Sequence, residues 1–258
     1  MVDIHCHLLP GLDDGPDTID ESLSMAEMAI ADGITHVVST PHASDRYTFD
    51  AERVRRHHAE LQEKLGARLT VATGCDFHMS YDNLRDFPNQ PSKYTLNQKN
   101  YLLVEFANFS IPPAMDDALH QLMIAGARPI ITHPERNGVL CRHPERLDAW
   151  LKRGCFAQVT AGSLLGKFGE GAQHVAAQWL DEGRVHFVAS DAHNTTSRPL
   201  KLREAYEWVA KRRGEDVAKA LFIENPRAAY EGRELPYVPE LPEEAPQAPG
   251  RKKRFWFF

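Results

Sequence analysis

The chain is poor in several features that would have placed it in a class quickly. It has no run of about 18 apolar residues, so a membrane-spanning helix is not expected. No basic segment followed by an apolar stretch opens it, which argues against a secretory leader and for a cytoplasmic protein. Cysteine is scarce, with Cys6, Cys75, Cys141 and Cys155 scattered without paired spacing, as suits reduced thiols. None has an arginine six residues later, so the phosphate-binding loop of cysteine-dependent phosphatases is absent. Positive charge is also short. With 30 Lys and Arg against 36 Asp and Glu, the net charge of −6 gives no reason to expect a nucleic-acid partner.

What is present is a chain of 258 residues, long enough for a substantial core. Short apolar runs alternate with amphipathic stretches. Strands are expected at VDIH, 34–40, 69–75, 101–106, 129–133, 155–160 and 184–190. Between them, the Thr18–Glu21 spacing reads as a capping box on a helix ending at Gly33. Further helices are expected to end at Gly66 and Gly154, to follow Pro112-Pro113, and to cover about 168–182 and 199–213. A last one, EDVAKALFIEN, is expected to halt before Pro226. The stretch 77–100 reads as a long loop with a short helix near 82–87.

Seven strand-then-helix units imply parallel strands, and a closed or nearly closed β/α barrel fits them better than an open sheet. Residues 1–234 then form one barrel domain, and 235–258 a tail. The tail is first rich in proline and glutamate, as in an extended linker. Its last octet, Arg251–Phe258, is basic and aromatic. That octet reads either as a disordered or locally docked end, or as a peripheral membrane or partner contact.

The chemistry-bearing residues fall at strand ends. His5 and His7 end the first strand and Asp14 follows; His42 follows the second and Asp76 the third. Glu105 lies on the fourth strand, His133 ends the fifth, and Asp191 and His193 end the seventh. In a β/α barrel those ends converge on one face. Each has an ordinary explanation alone, such as a hydrogen-bonded core histidine or an Asp-Gly turn. Five histidines and four carboxylates converging on one face are another matter, because buried charge at that density is paired or metal-bound. Imidazole and carboxylate donors suit manganese, iron or zinc, and nine are enough for two or three ions. Such clusters activate water and clamp phosphoryl oxygens. Arg136 in THPERN and Arg198 in HNTTSRP lie close to ligand-bearing strand ends, and guanidinium forks bind phosphate. Together they point to a phosphate ester as substrate.

With these residues in view, the chain resembles the polymerase-and-histidinol-phosphatase (PHP) superfamily. Within it, the bacterial capsular and exopolysaccharide protein tyrosine phosphatases are the nearer likeness. The resemblance runs from DIHCHLLPGLDDGP through STPH, YLLVEF and ITHPERN to SDAHNTTSRP, roughly residues 1–230. It implies a distorted seven-stranded TIM-like barrel, (β/α)7, with a manganese-dependent three-metal centre. One ion would be held by His5, His7 and Asp191, a second by Glu105 and His133, and a third by Asp14, His42 and His193. Asp76 stands where the family has a bridging glutamate. The reaction expected from these residues is hydrolysis of phosphotyrosine without a covalent enzyme intermediate, with Arg136 and Arg198 on the phosphate and His42, His193 or a metal-bound water available as the proton donor. The implied partner is the tyrosine-rich C-terminal tail of a membrane-associated tyrosine autokinase that controls polysaccharide synthesis and export. The rivals are a histidinol-phosphate or other small-molecule phosphatase of the superfamily, an amidohydrolase, and a non-catalytic metal-binding scaffold. Amidohydrolases often carry a bridging lysine where this chain has Glu105.

Overall fold

The computed structural model describes residues 1–241, so Arg251–Phe258 lies outside the described residues. The strands are β1 (Val2–Cys6), β2 (His36–Ser39), β3 (His42–Ala43), β4 (Thr70–Thr73), β5 (Asp76–His78), β6 (Tyr101–Glu105), β7 (Arg128–Thr132), β8 (Phe156–Thr160) and β9 (Phe187–Ala189). All seven expected strands are present, and the second and third each continue past their expected ends, 40 and 75, as a further short strand. β2 and β3 are interrupted at Pro41, which has no N–H to donate, and β4 and β5 at Gly74. A Cβ on Gly74 would meet the Leu96 side chain 2.8 Å away, so the chain needs glycine at that close approach.

Every pairing is parallel. The order β1-β2-β4 forms one sheet and β3-β5-β6-β7-β8-β9 a second. β9 returns to β1 near its C-terminal end. Asp191 N donates to His5 O and His7 N to Ala192 O, both at 2.8 Å. The strand order thus comes back on itself, in the manner of a distorted seven-stranded barrel.

One irregularity decides what the first strand presents. Asp3 pairs with Val37, but Cys6 pairs with Ser39, so β1 carries one extra residue between them. Before this bulge the even residues face inward: Val2 and Ile4 share a buried cluster with Val38, Leu103, Ile130, Phe156 and Phe187. Beyond it the parity switches. Cys6 joins the outer core with Val37 and Leu8, and His5 and His7 turn inward above Ile4. Asp3 Oδ1 accepts from the His5 and Ser190 amides, both at 3.2 Å, and ties the bulge to the end of β9. Burial pushes the Asp3 carboxyl up to about 6.

The helices are α1 (Ile19–Asp32), α2 (Ala51–Leu65), α3 (Tyr81–Asp86), α4 (Ala114–Ile124), α5 (Gly138–Arg142), α6 (Pro144–Lys152), α7 (Ala161–Leu164), α8 (Glu170–Asp181), α9 (Arg203–Arg213), α10 (Glu215–Lys219) and α11 (Asn225–Glu231). The Thr18–Glu21 capping box is formed, and Gly33 ends α1 at φ 85°. The last helix corrects the expectation. It does not halt before Pro226 but opens into a π-helical turn over Ala220–Glu224 and continues as α11. Asn225 keeps helical angles, φ −63° and ψ −48°. Its side chain is fixed by bonds to the His186 carbonyl at 2.9 Å and the Tyr237 carbonyl at 2.7 Å. Ala228 and Ala229 of α11 share the inner cluster with Val2 and Tyr101, at the end of the barrel where the strands begin. Residues 235–241 lie along the body. Leu235 is buried, and a Cβ on Gly183 (φ 74°) would collide with the Glu240 carbonyl.

The buried imidazole of His186 is held near pH 4 by burial, below its usual value of about 6.5. A depressed base leaves the unfolded chain binding more protons, so its contribution is full above about pH 6.5 and falls away toward pH 4. Over that window it should cost about 3 kcal/mol of stability. Urea unfolding of the protein and of His186→Gln at pH 7.5 and pH 5 checks this. The variant should lose markedly less on acidification, and an equal loss would remove His186 from the account.

Candidate metal centre

The nine expected donors surround one cleft of about 260 Å³, lined by Asp14, His42, Glu105, His133, Arg136 and Asp191 among others; most end or follow a strand, while His42 and Asp76 open the short strands β3 and β5 that continue β2 and β4. Their side-chain atoms fall into groups within 4.8 Å of one another: His7, Asp14, His42 and His193; His5, His7 and Asp76; and Asp76, Glu105 and His133. Asp191 Oδ1 stands 3.4 Å from His5 Nε2 and 3.7 Å from His7 Nε2. Asp76 Oδ2 lies between His5 Nε2 at 3.5 Å and His42 Nδ1 at 3.3 Å. Asp14 Oδ1 is 3.5 Å from His42 Nε2 and 3.4 Å from His193 Nε2.

The imidazoles are oriented by partners behind them. The His7 Nδ1 proton goes to Asp13 Oδ2 at 2.5 Å, and the His193 Nδ1 proton to the Asp191 carbonyl at 3.0 Å. Gln158 Oε1 faces His5 Nδ1 at 2.8 Å. Carbonyl and carboxylate oxygens only accept, so each ring turns its Nε2 toward the cleft, as a metal-ligating histidine requires. The buried atoms His5 Nε2, His7 Nε2, His42 Nδ1, Asp76 Oδ2 and Glu105 Oε2 have no hydrogen-bond partner among the described residues. Five orphaned polar atoms facing one another would be expensive in an ordinary core. They fit a site for cations.

The electrostatics agree. Burial disfavours a charged His5, but the Asp76 and Asp191 carboxylates outweigh it and raise its pKa to about 9. Burial likewise opposes His42, and Asp76 overrides it, carrying the pKa to about 10. A divalent ion answers the same carboxylates and displaces those protons. His7 goes the other way, held at about 4 by burial against the pull of Asp13. Burial raises Glu105, helped by the Asp76 charge. Despite burial, Asp191 sits well below the carboxylate range because His5, Arg136 and Arg198 face it.

Two of these residues carry strained backbone. His133 (φ 32°) and Asp191 (φ 52°) are in the left-handed region without being glycine. Both lie where a strand turns sharply to aim a side chain into the cleft. The arginines meet on one atom: Arg136 and Arg198 (at 2.5 Å for the latter) both bond Asp191 Oδ2. Their planes lie over the Phe168 ring, with guanidinium carbons 4.6 and 5.9 Å from its centroid. Asn194 Oδ1 accepts from the amides of Thr196, Ser197 and Arg198, curling the loop so that Arg198 returns over Asp191.

Several of these residues were not among the expected site residues. Asp13 shapes the turn by accepting from Gly15 N at 3.0 Å, orients His7 and receives His42 N at 2.9 Å. His78 approaches Glu105 Oε2 and groups with His42. Its spacing from Asp76, two residues along one strand, was the signal for it. Phe168, Gln158 and Asn194 gave none beyond their types.

Because Asp13 holds His7 by its charge and His42 by its backbone, Asp13→Ala should weaken divalent-cation binding about 10- to 100-fold. Calorimetric titration with Mn²⁺ measures this; unchanged affinity would reduce Asp13 to a turn residue.

A family profile described as capsular polysaccharide synthesis, CpsB/CapC, matches residues 1–231. CapC of Staphylococcus aureus is 35% identical over 212 residues, covering 80% of this chain and 82% of its own. YwqE of Bacillus subtilis, named a tyrosine-protein phosphatase, is 31% identical over 262 residues and covers 100% of both chains. A crystal structure from work on YwqE of Bacillus subtilis and CpsB of Streptococcus pneumoniae, described as metal-dependent tyrosine phosphatases, superposes with a TM-score of 0.86. At 30% identity it covers 94% of this chain and 100% of the other. A lactonase from Listeria monocytogenes, with a TM-score of 0.57 and 14% identity, shares the fold alone.

Proposed function

The chain belongs to the CpsB/CapC family of capsular polysaccharide synthesis proteins, and on that premise we propose that it is a metal-dependent protein tyrosine phosphatase. Its substrate is phosphotyrosine on the C-terminal tyrosine cluster of a membrane-associated tyrosine autokinase, and its metal is manganese, with iron or zinc as the other ions these donors suit. Among the described residues no helix is long and apolar enough to cross a membrane, in keeping with a cytoplasmic enzyme that meets its partner at the membrane face.

The observation that carries this reading is the pair Arg136 and Arg198 at the rim of the donor cluster. Each has a buried Nε without a hydrogen-bond partner among the described residues. Two guanidinium forks beside a cation site make a receptor for a tetrahedral dianion. Asp191 holds both in place, and Phe168 backs their planes.

When bound, the ions act as Lewis acids on phosphoryl oxygens and supply a nucleophile from water at neutral pH. The residues of the chain do the rest. Arg136 and Arg198 bind the phosphate oxygens and neutralise charge as the ester bond breaks. A phenolate leaving group has a pKa of about 10, so it departs with modest proton assistance. The His193 Nδ1–H donates to the Asp191 carbonyl, which turns Nε2 toward Asp14 and the cleft, where it would hold a cation. His42 has a ring nitrogen on each side of the cluster, and a proton it carries reaches either Asp14 or Asp76.

Turnover of a phosphotyrosine peptide should require added Mn²⁺ and be abolished by a chelator. Replacing either arginine by alanine should lower kcat by about 100-fold. Wild-type rates in the double variant, or faster turnover of histidinol phosphate than of the peptide, would overturn the reading.

A second outcome concerns Phe168. A cation–π contact is worth about 0.5–2 kcal/mol, so Phe168→Ala should lower kcat/KM by about 2- to 30-fold while Phe168→Trp keeps most of it. Equal rates across the three proteins would show that the ring is only packing.

A further inference from the structure

We propose that His78 is a further metal ligand, its Nε2 sharing with Glu105 Oε2 a divalent cation at the outer edge of the cluster. The inference rests on reading the cluster as a metal centre, and adds to it an ion position that the nine expected donors do not describe.

The placement begins with register. β5 and β6 are parallel neighbours with His78 opposite Glu105, so their side chains stand together on one face. The backbone of His78 is pinned there. Its carbonyl accepts from Ser80 N at 2.8 Å and from Asn83 Nδ2 at 3.0 Å, and the same amide reaches the Ala43 carbonyl at 2.8 Å. The imidazole is therefore delivered to Glu105 by a fixed strand.

Glu105 divides its two oxygens between two neighbourhoods. Oε1 faces His133 Nε2 at 3.5 Å, within the Asp76–Glu105–His133 group. Oε2 faces His42 Nδ1 at 3.4 Å and His78 Nε2, and these three residues form a group of their own. Glu105 lines both the metal cleft and an adjoining cavity of about 240 Å³, whose wall includes His78, Asp45 and Met79. The His78 ring is about one-third exposed, so a cation reaches it from solvent.

His42 alone does not satisfy both neighbourhoods. A neutral imidazole has one lone pair. When His42 turns Nε2 to the ion held with Asp14 and His193, its Nδ1 carries the proton and points at Asp76 and Glu105. The imidazole left to complete the outer group is His78. Its donors, one nitrogen and a carboxylate oxygen, suit a first-row divalent ion such as manganese, iron, cobalt or zinc.

The experiment titrates metal-free protein with Co²⁺ and follows stoichiometry, affinity and the visible ligand-field spectrum, for the parent, His78→Ala and His78→Gln. Glutamine keeps a polar side chain beside Glu105 but supplies no imidazole. Both variants should bind one equivalent about 100-fold more weakly than the parent, with an altered spectrum for that equivalent. Parent-like affinity and spectrum in His78→Ala overturn the proposal. So does recovery of both in His78→Gln, which would make His78 a positioning residue for Glu105. The readout is cation binding, so a protein that binds Co²⁺ in this way but leaves phosphotyrosine intact refutes the proposed function and supports the site; a parent that binds no Co²⁺ overturns both.

Discussion

The carboxylate of Asp191 is the interaction on which the rest of the site depends. One oxygen looks across at His5 and His7, and the other receives both Arg136 and Arg198. Its backbone amide meanwhile joins the end of β9 to β1 through the His5 carbonyl. A single residue therefore joins the imidazole-rich half of the cleft to the half that carries the two arginines, and stitches the strand ends beneath them. The left-handed backbone there costs of order 1–3 kcal/mol, offset by the hydrogen bonds and ion pairs that converge on it. Buried charge of this kind persists only where each partner is itself held. Asn194 holds the loop of Arg198, Phe168 backs both guanidinium planes, and Asp3 ties the bulge of β1 to Ser190 beside Asp191.

Much of the donor set could be read in the sequence because its grammar is local. A polar residue at the end of an apolar run is a strand end, and in a barrel of parallel strands those ends share one face. That logic alone reaches His42, Asp76, Glu105, His133 and Asp191. It needs no knowledge of how far each strand is tilted or where it breaks. The splits at Pro41 and Gly74 leave the placement of His42 and Asp76 unaffected, because Asp76 N still bonds the Pro41 carbonyl across the gap at 3.2 Å.

What the sequence hid depends on contacts between distant segments. Gln158 is an unremarkable strand residue until the fold sets it against His5, 153 positions away. Phe168 belongs to a connection, and its worth comes from two arginines on other loops. The passage of the last helix through Pro226 was hidden for the same reason. Local preference ends a helix before proline. Here Asn225 is anchored to the His186 and Tyr237 carbonyls, and the preceding π-turn absorbs the disturbed hydrogen-bond ladder.

The bulge in β1 amounts to a phase slip between two periodic messages written on one strand. Val2 and Ile4 belong to a rhythm that fills the lower barrel, and His5 and His7 to a rhythm that furnishes its mouth. An unbroken alternation would set them on opposite faces, and whichever were right, the other would be lost. The slip lets the six residues from Val2 to His7 obey both. It also means that the identity of the two histidines and the spacing before them are a single unit of information. Histidines at the same two positions, on a first strand of strict alternation, would be the right letters pointing at the wrong side of the sheet.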